Sequence, residues 1–337
     1  MPGLRTVAAG VVAALVLAAG AGCSTAVEDE KAGPATEIGA TIPIDGFLRR
    51  AEIDAAAHTL YVSDFLGFVW LIDTETDQVT GKIEVGAGPQ GLAIDTAAHT
   101  LYTSNYQAGT ISVVDTVEKK VVDTIPVPGH PDLLALDPAA HTLYLSHFAG
   151  KELSVLDTAG KTVKATIPLD DYADDLVIDP DAQRLYIAHI TTSKVTVVDT
   201  STNTISAAIE YGEQPAALAL APDGQRLYAA HTGGVAAIDT HTAKPVGTAS
   251  IGKRPVDIAV DADSRLLYVV NNDGRAKQLG GDGGPVAVID MADNTSIATV
   301  LTGDSPQDAV VDPVSHKVYV VVVLDEKVTV LKPAGSR

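Results

Sequence analysis

Three histidines, His147, His189 and His231, occupy matching places in consecutive copies of a tyrosine-centred repeat, each the third residue after its tyrosine. Neutral imidazole suits zinc or copper, at metal to nitrogen distances of roughly 2.1 Å. The first chemistry on offer is therefore a divalent transition-metal site built from these three residues. A plainer alternative stands beside it, because residues that close a strand can spend their polar atoms on neighbouring loop carbonyls. In the other copies the same place holds Asp64, Asn105, Asn271 and Val322, and the first three join the candidate ligand-binding set.

A second variable set lies at the start of each repeat: Arg49-Arg50, Gln90-Gly91, Asp132-Leu133, Asp174-Asp175, Ala216-Ala217, Val256-Asp257 and Gln307-Asp308. A turn with only a structural job needs no such variety. Asp132, Asp174, Asp175 and Asp257 could complete a metal shell or receive a cationic ligand. Arg49 and Arg50 could pair with a substrate carboxylate, or internally with Asp308 of the adjoining last copy. His58, His99, His141 and His316 form a different set in the turns just before the tyrosines, where they read as turn chemistry. The Gly-rich insertion from Asn271 to Pro285 would emerge beside the three histidines as a lid or a mobile loop. Its Asp and Asn content could hold calcium, without the spacing of an EF-hand. No Gly-x-Ser-x-Gly elbow, cysteine pair, phosphate loop or His-Glu-x-x-His helix is present, so the usual marks of hydrolases, dithiol enzymes, nucleotide enzymes and zinc proteases are missing.

The elements that must position these residues follow from the repeat. A Leu-Tyr or Val-Tyr pair recurs at Tyr61, Tyr102, Tyr144, Tyr186, Tyr228, Tyr268 and Tyr319, with spacings of 41, 42, 42, 42, 40 and 51 residues. A period near 42 suits one four-stranded propeller blade, and the Gly-rich insertion accounts for the long last interval. In the third copy Leu133–Leu136, His141–Ser146, Leu153–Leu156 and Val163–Leu169 read as strands. They are bounded by Asp-Pro and Asp-Thr pairs whose side chains bond the local backbone. That is a sufficient structural reason for Asp95, Asp115, Asp137, Asp157, Asp179, Asp199 and Asp312. The last copy lacks an outer strand, and Ala40-Thr41-Ile42-Pro43-Ile44-Asp45 nearly duplicates the outer strand Ala165-Thr166-Ile167-Pro168-Leu169-Asp170. Pairing that front segment with the last copy closes a ring and removes an open edge. The expected fold is an all-β, seven-bladed β-propeller over residues 36–332, with a short tail over 333–337.

The units Leu143-Tyr144-Leu145-Ser146-His147 and Leu153-Ser154-Val155-Leu156-Asp157-Thr158, with Tyr102-Thr103-Ser104-Asn105 nearest the naming motif, resemble the YVTN β-propeller family. The resemblance implies a disc of seven blades with its ligand face around the axis. It implies no particular reaction, because such propellers serve as binding modules, surface-layer proteins and parts of periplasmic oxidoreductases and lactonases alike.

Residues 1–22 read as a secretory signal, with Arg5 ahead of the apolar run Val7–Ala19. Cys23, the only cysteine, stands where a bacterial lipoprotein is acylated, although Gly20 replaces the usual Leu. Residues 23–35 are polar and unpatterned, as a tether would be. The expected location is thus extracytoplasmic, anchored to the outer side of the membrane through Cys23. A net charge of −20 favours cations and cationic ligands and disfavours nucleic acid. These readings point to a binding or scaffold lipoprotein that uses one propeller face for a metal ion, small ligand or protein partner. The alternative is a metal-dependent lyase or lactonase-like hydrolase acting at the same face.

Overall fold

Alternating apolar residues bounded by turn-forming aspartates build short strands, and the computed structural model shows how they assemble; it describes residues 36–210, 214–251, 254–272 and 283–333. The expected signal sequence, Cys23, the tether, most of the blade-six insertion and nearly all of the C-terminal tail lie outside the described residues. Every regular element among the described residues is a strand, and none is a helix long and apolar enough to cross a membrane.

The strands form seven antiparallel four-stranded sheets, one per repeat. In blade one the order from the axis outward is Leu48–Asp54, Thr59–Asp64, Phe68–Asp73 and Gln78–Glu84. Blade seven has three strands from the end of the chain, Pro306–Val311, Val318–Val322 and Lys327–Pro333. Its outer strand is Thr36–Pro43, which pairs from Thr36 opposite Pro333 to Pro43 opposite Lys327. The ring therefore closes as the duplicated motif requires, and the apolar edge of the last strand is covered.

Turn chemistry stops the strands where expected. Asp95, Asp137 and Asp179 each accept a backbone N–H three residues on, and Asp115, Asp157 and Asp199 accept two each. His58, His99, His141 and His316 adopt left-handed backbone, with φ between 49° and 57°. They are turn residues, and His316 Nδ1 also lies 3.1 Å from Asp261 of the preceding blade.

The core lies between blades. Six of the repeat tyrosines are fully buried, each ring removing about 150–250 Å² from water at roughly 25 cal/mol per Å². Two of the hydroxyls reach across the seams. Tyr144 donates to Asn203 Oδ1 at 2.8 Å, and Tyr319 donates to Asp77 Oδ1 at 2.9 Å.

Around the axis a second kind of seam appears. In blades one and two a serine on the second strand accepts the N–H of its own inner strand and donates to the next blade's carbonyl. Ser63 bonds Gln90 at 2.7 Å, and Ser104 bonds Asp132 at 2.5 Å. Blades four, six and seven have Ala188, Val270 and Val321 at the serine position. There an inner-strand aspartate reaches across instead: Asp175 to Leu218, Asp257 to Ala309 and Asp308 to Ala51, each accepting the backbone N–H at 2.7 Å.

Candidate functional site

Four of the residues that close the second strand, Asp64, Asn105, His147 and His189, bond to the third strand of their own blade. Asp64 accepts from the N–H of Phe47 and Leu66 and from Trp70 Nε1, at 2.9 to 3.0 Å. Asn105 donates to Thr110 and Ser112. His147 Nε2 lies 2.8 Å from Ser154 Oγ, and His189 Nε2 lies 2.9 Å from Thr196 Oγ1. The second ring nitrogen of His189 donates to the Tyr172 carbonyl at 2.6 Å. His231 is buried, with Nε2 packed toward Gly234. Asn271 donates to the Val269 carbonyl at 3.1 Å.

The structure does not bring His147, His189 and His231 together. Among the described residues no group of three or more His, Cys, Asp or Glu side chains is placed to hold a metal ion. The donor set does not fit the zinc or copper centre expected from the register, because His189 has both nitrogens engaged and His147 is bonded within its own blade. These bonds tie the His147 and His189 rings to the third strands of their own blades, and His189 also to the Tyr172 loop carbonyl. His189 has a further effect, since its bond to the Tyr172 carbonyl holds the loop that carries the Tyr172 ring.

The two arginines separate. Arg50 points into the axial channel, 2.8 Å from Asp308 and 3.9 Å from Asp257. Burial alone would lower its pKa, but Asp308, Asp257 and Asp175 outweigh that and raise it. The internal ion pair expected for the arginines therefore holds for Arg50. Its carboxylate neighbours are strained electrostatically. Burial, opposed by Arg50, raises Asp175 to about 6. Asp257 is raised by burial and then by the charge of Asp308. Glu52, further along the channel, is pushed up to about 8 by burial and by Asp308. A narrow cavity of about 130 Å³ runs among Arg50, Glu52, Asp175 and Asp308, so the surface these groups expose faces that lumen rather than bulk water.

Arg49 stands at the mouth. Its guanidinium carbon sits 4.4 Å from the Phe47 ring centre and 5.0 Å from that of Phe65. Among the described residues it has no ion pair within 4.0 Å, and its Nε is buried without a hydrogen-bond partner. Burial lowers its pKa, opposed by Asp132. Arg49, Asp132 and Asp174 line a cup of about 580 Å³ over the channel, together with His147, Phe148 and Tyr172. Burial raises both Asp132 and Asp174.

Sequence reasoning missed the aromatic rim. Phe47, Phe65, Tyr106, Phe148 and Tyr172 all sit in loops on the face that bears the cup. Phe65 and Phe148 both pack near Tyr106, whose ring stacks on His130 at 4.7 Å. Phe148 is 57% and Tyr172 41% exposed, which is unusual in a chain with only four Phe and with seven of its ten Tyr in the repeat. That scarcity was the available signal, since an aromatic residue outside the repeat is a departure in itself. A larger hollow of about 1000 Å³ opens on the opposite face between blades four and five. It has no Phe, Tyr or Trp, and its Asp179, Asp223 and Asp239 cap their own turns.

No family model matches the sequence, and no curated protein sequence matches it. Among solved structures the fold is similar to a chain of Kuenenia stuttgartiensis hydrazine synthase, with a TM-score of 0.74 and 20% identity over 88% of this chain and 99% of that one. At that identity the likeness concerns the propeller fold.

Proposed function

We propose that this propeller is a binding module whose ligand or partner docks at the aromatic-rimmed cup, displayed outside the cytoplasm on a lipid anchor at Cys23. The observation that carries the reading is the gathering of off-repeat aromatic residues on one face, around a cup whose polar groups are only partly used by the fold. Ligand sites are concave, combine apolar walls with a few placed polar groups, and commonly measure roughly 300–1,000 Å³. The cup of about 580 Å³ has that make-up. Nothing in the reading requires a reaction.

The test is a thermal-shift screen of a small-molecule library on the purified domain, repeated on the Phe148→Ala/Tyr172→Ala double variant. Both rings are exposed, so the variant is expected to keep its fold and Tm within a degree or two while losing at least tenfold in affinity for any ligand found. Hits that bind both proteins equally would place recognition elsewhere and end the proposal. Anchoring is tested separately by radiolabelled palmitate incorporation, which is expected in the full chain and lost in Cys23→Ser. Equal labelling of both proteins, or of neither, would overturn it.

A further inference from the structure

The mouth of the channel holds two kinds of underused charge, on the wall formed by blade one and on that formed by blades three and four. On one wall, Arg49 is clamped by Phe47 and Phe65 with no carboxylate in ion-pair range. A guanidinium held on ring faces is pre-organised and weakly hydrated, which suits it to a planar carboxylate. On the other wall, Asp174 spends one oxygen on the Ile190 N–H at 2.6 Å. The carboxylate of Asp132 accepts no hydrogen bond among the described residues, yet both acids line the cup. His147, also in the lining, is more than nine-tenths buried, and its Nδ1 has no hydrogen-bond partner. Gly129 keeps the space beside that nitrogen open, since a Cβ there would come within 3.1 Å of it.

Resting on the reading of the cup as a ligand site, we infer that its ligand is a small zwitterion bearing both an ammonium and a carboxylate group, as in a free α-amino acid or a short peptide. Arg49 receives the carboxylate, Asp132 and Asp174 receive the ammonium, and the Phe148 and Tyr172 rings cover the side chain. Simpler ligands fit the charges less well. A phosphate or other pure anion would sit beside two carboxylates on a protein of net charge −20. An organic cation alone would leave Arg49 facing it unpaired. A neutral polyol would cover both charged walls while compensating neither, and partly desolvated charges are costly without partners. A zwitterion is neutral overall and answers each wall with the opposite sign.

The experiment is isothermal titration of the folded domain with phenylalanine, the dipeptide Ala-Phe, phenethylamine and N-acetylphenylalanine. The last two lack the carboxylate and the ammonium respectively. Phenylalanine or Ala-Phe is expected to bind, and the tighter of the two tells a free amino acid from a peptide. Each charge-stripped analogue is expected to bind at least tenfold more weakly. Arg49→Gln should weaken phenylalanine at least tenfold and leave phenethylamine unchanged. Asp132→Asn/Asp174→Asn should remove the discrimination against N-acetylphenylalanine. Arg49→Lys, which keeps the charge without the planar fork, should fall between wild type and Gln, with circular dichroism confirming the fold of every variant. Analogues that bind the wild type as tightly as phenylalanine would overturn the inference. So would the absence of zwitterion binding at roughly millimolar concentration. If a library ligand sensitive to Phe148→Ala/Tyr172→Ala still binds in that case, the cup remains a binding site and only the zwitterion falls. If nothing binds there, both readings fall.

Discussion

Glu52 is a carboxyl group that the fold holds above its natural pKa. Its neighbours in the channel are Arg50, Asp175 and Asp308, and Arg50 is already committed to Asp308 at 2.8 Å. With burial as the main cause and the charge of Asp308 added, Glu52 rises from 4.5 to about 8. The sign of the consequence follows from proton linkage. Between those two values the folded protein keeps a proton that the unfolded chain has released, so stability falls as pH rises through the window. Asp175, raised to about 6, adds a fall of the same sign over a narrower window at the acidic end. Glu52→Gln keeps the shape and removes the titration. The variant is expected to match wild type in Tm near pH 5 and to exceed it by a few degrees near pH 8. Thermal melts across that range check this, and a Tm difference independent of pH would show that Glu52 is not the titrating group.

Strands and their seams explain why some positions were legible beforehand and others were not. The tyrosine period and the duplicated Ala-Thr-Ile-Pro motif announced the blades and the closing strand, because burial of one large ring per blade repeats as the blades do. The arginine and aspartate positions stood out as irregularities, but not their division of labour. Arg49 and Arg50 are adjacent in sequence at the bulge between Leu48 and Ala51 and both border the cup, yet only Arg50 pairs with Asp308 in the channel, while Arg49 lies on the Phe47 and Phe65 rings. Equal positions on successive blades point to equal places within each blade, so the histidine register by itself implies no convergence on the axis. Phe47, Phe65, Tyr106, Phe148 and Tyr172 become neighbours only once the ring has formed, so spacing could not pair them. The seams make a prediction of their own. Gly91 lies where a Cβ would fall 2.4 Å from the Asp132 carbonyl and 3.2 Å from Ser104 Oγ. Ser104→Ala should cost on the order of 1–2 kcal/mol by leaving that half-buried carbonyl and the buried Gly91 N–H unsatisfied. Gly91→Ala, which pushes the two blades apart, should cost more than Ser104→Ala. Denaturant melts of the two variants give the comparison, and equal stability of Gly91→Ala and wild type would show that the seam yields without strain.

At the scale of the whole molecule, the cup exists only because the circle is shut, and the circle is shut by one strand. Thr36–Pro43 supplies the outer edge of blade seven along its pairing with Lys327–Pro333. Ile42 and Ile44 are buried in a cluster with Leu48 and Leu60 of blade one and Tyr319 and Val328 of blade seven, so the strand also fills the seam between first and last blades. Removing it would expose the unpaired row of amides on Lys327–Pro333 and leave a gap beside blade one. An open, flat, apolar edge pairs with another copy of itself, and loss of the seam lets the blades around the mouth separate. A chain starting at Asp45 is therefore expected to lose well over ten degrees in Tm and to self-associate on size-exclusion chromatography. A synthetic peptide spanning 36–45, added in excess, should restore the monomer and recover much of the lost Tm by occupying the vacated edge. A truncated protein that stays monomeric with wild-type Tm would mean that the ring is held by its other seams alone, and the arrangement of Arg49, Asp132 and Asp174 would then owe nothing to closure.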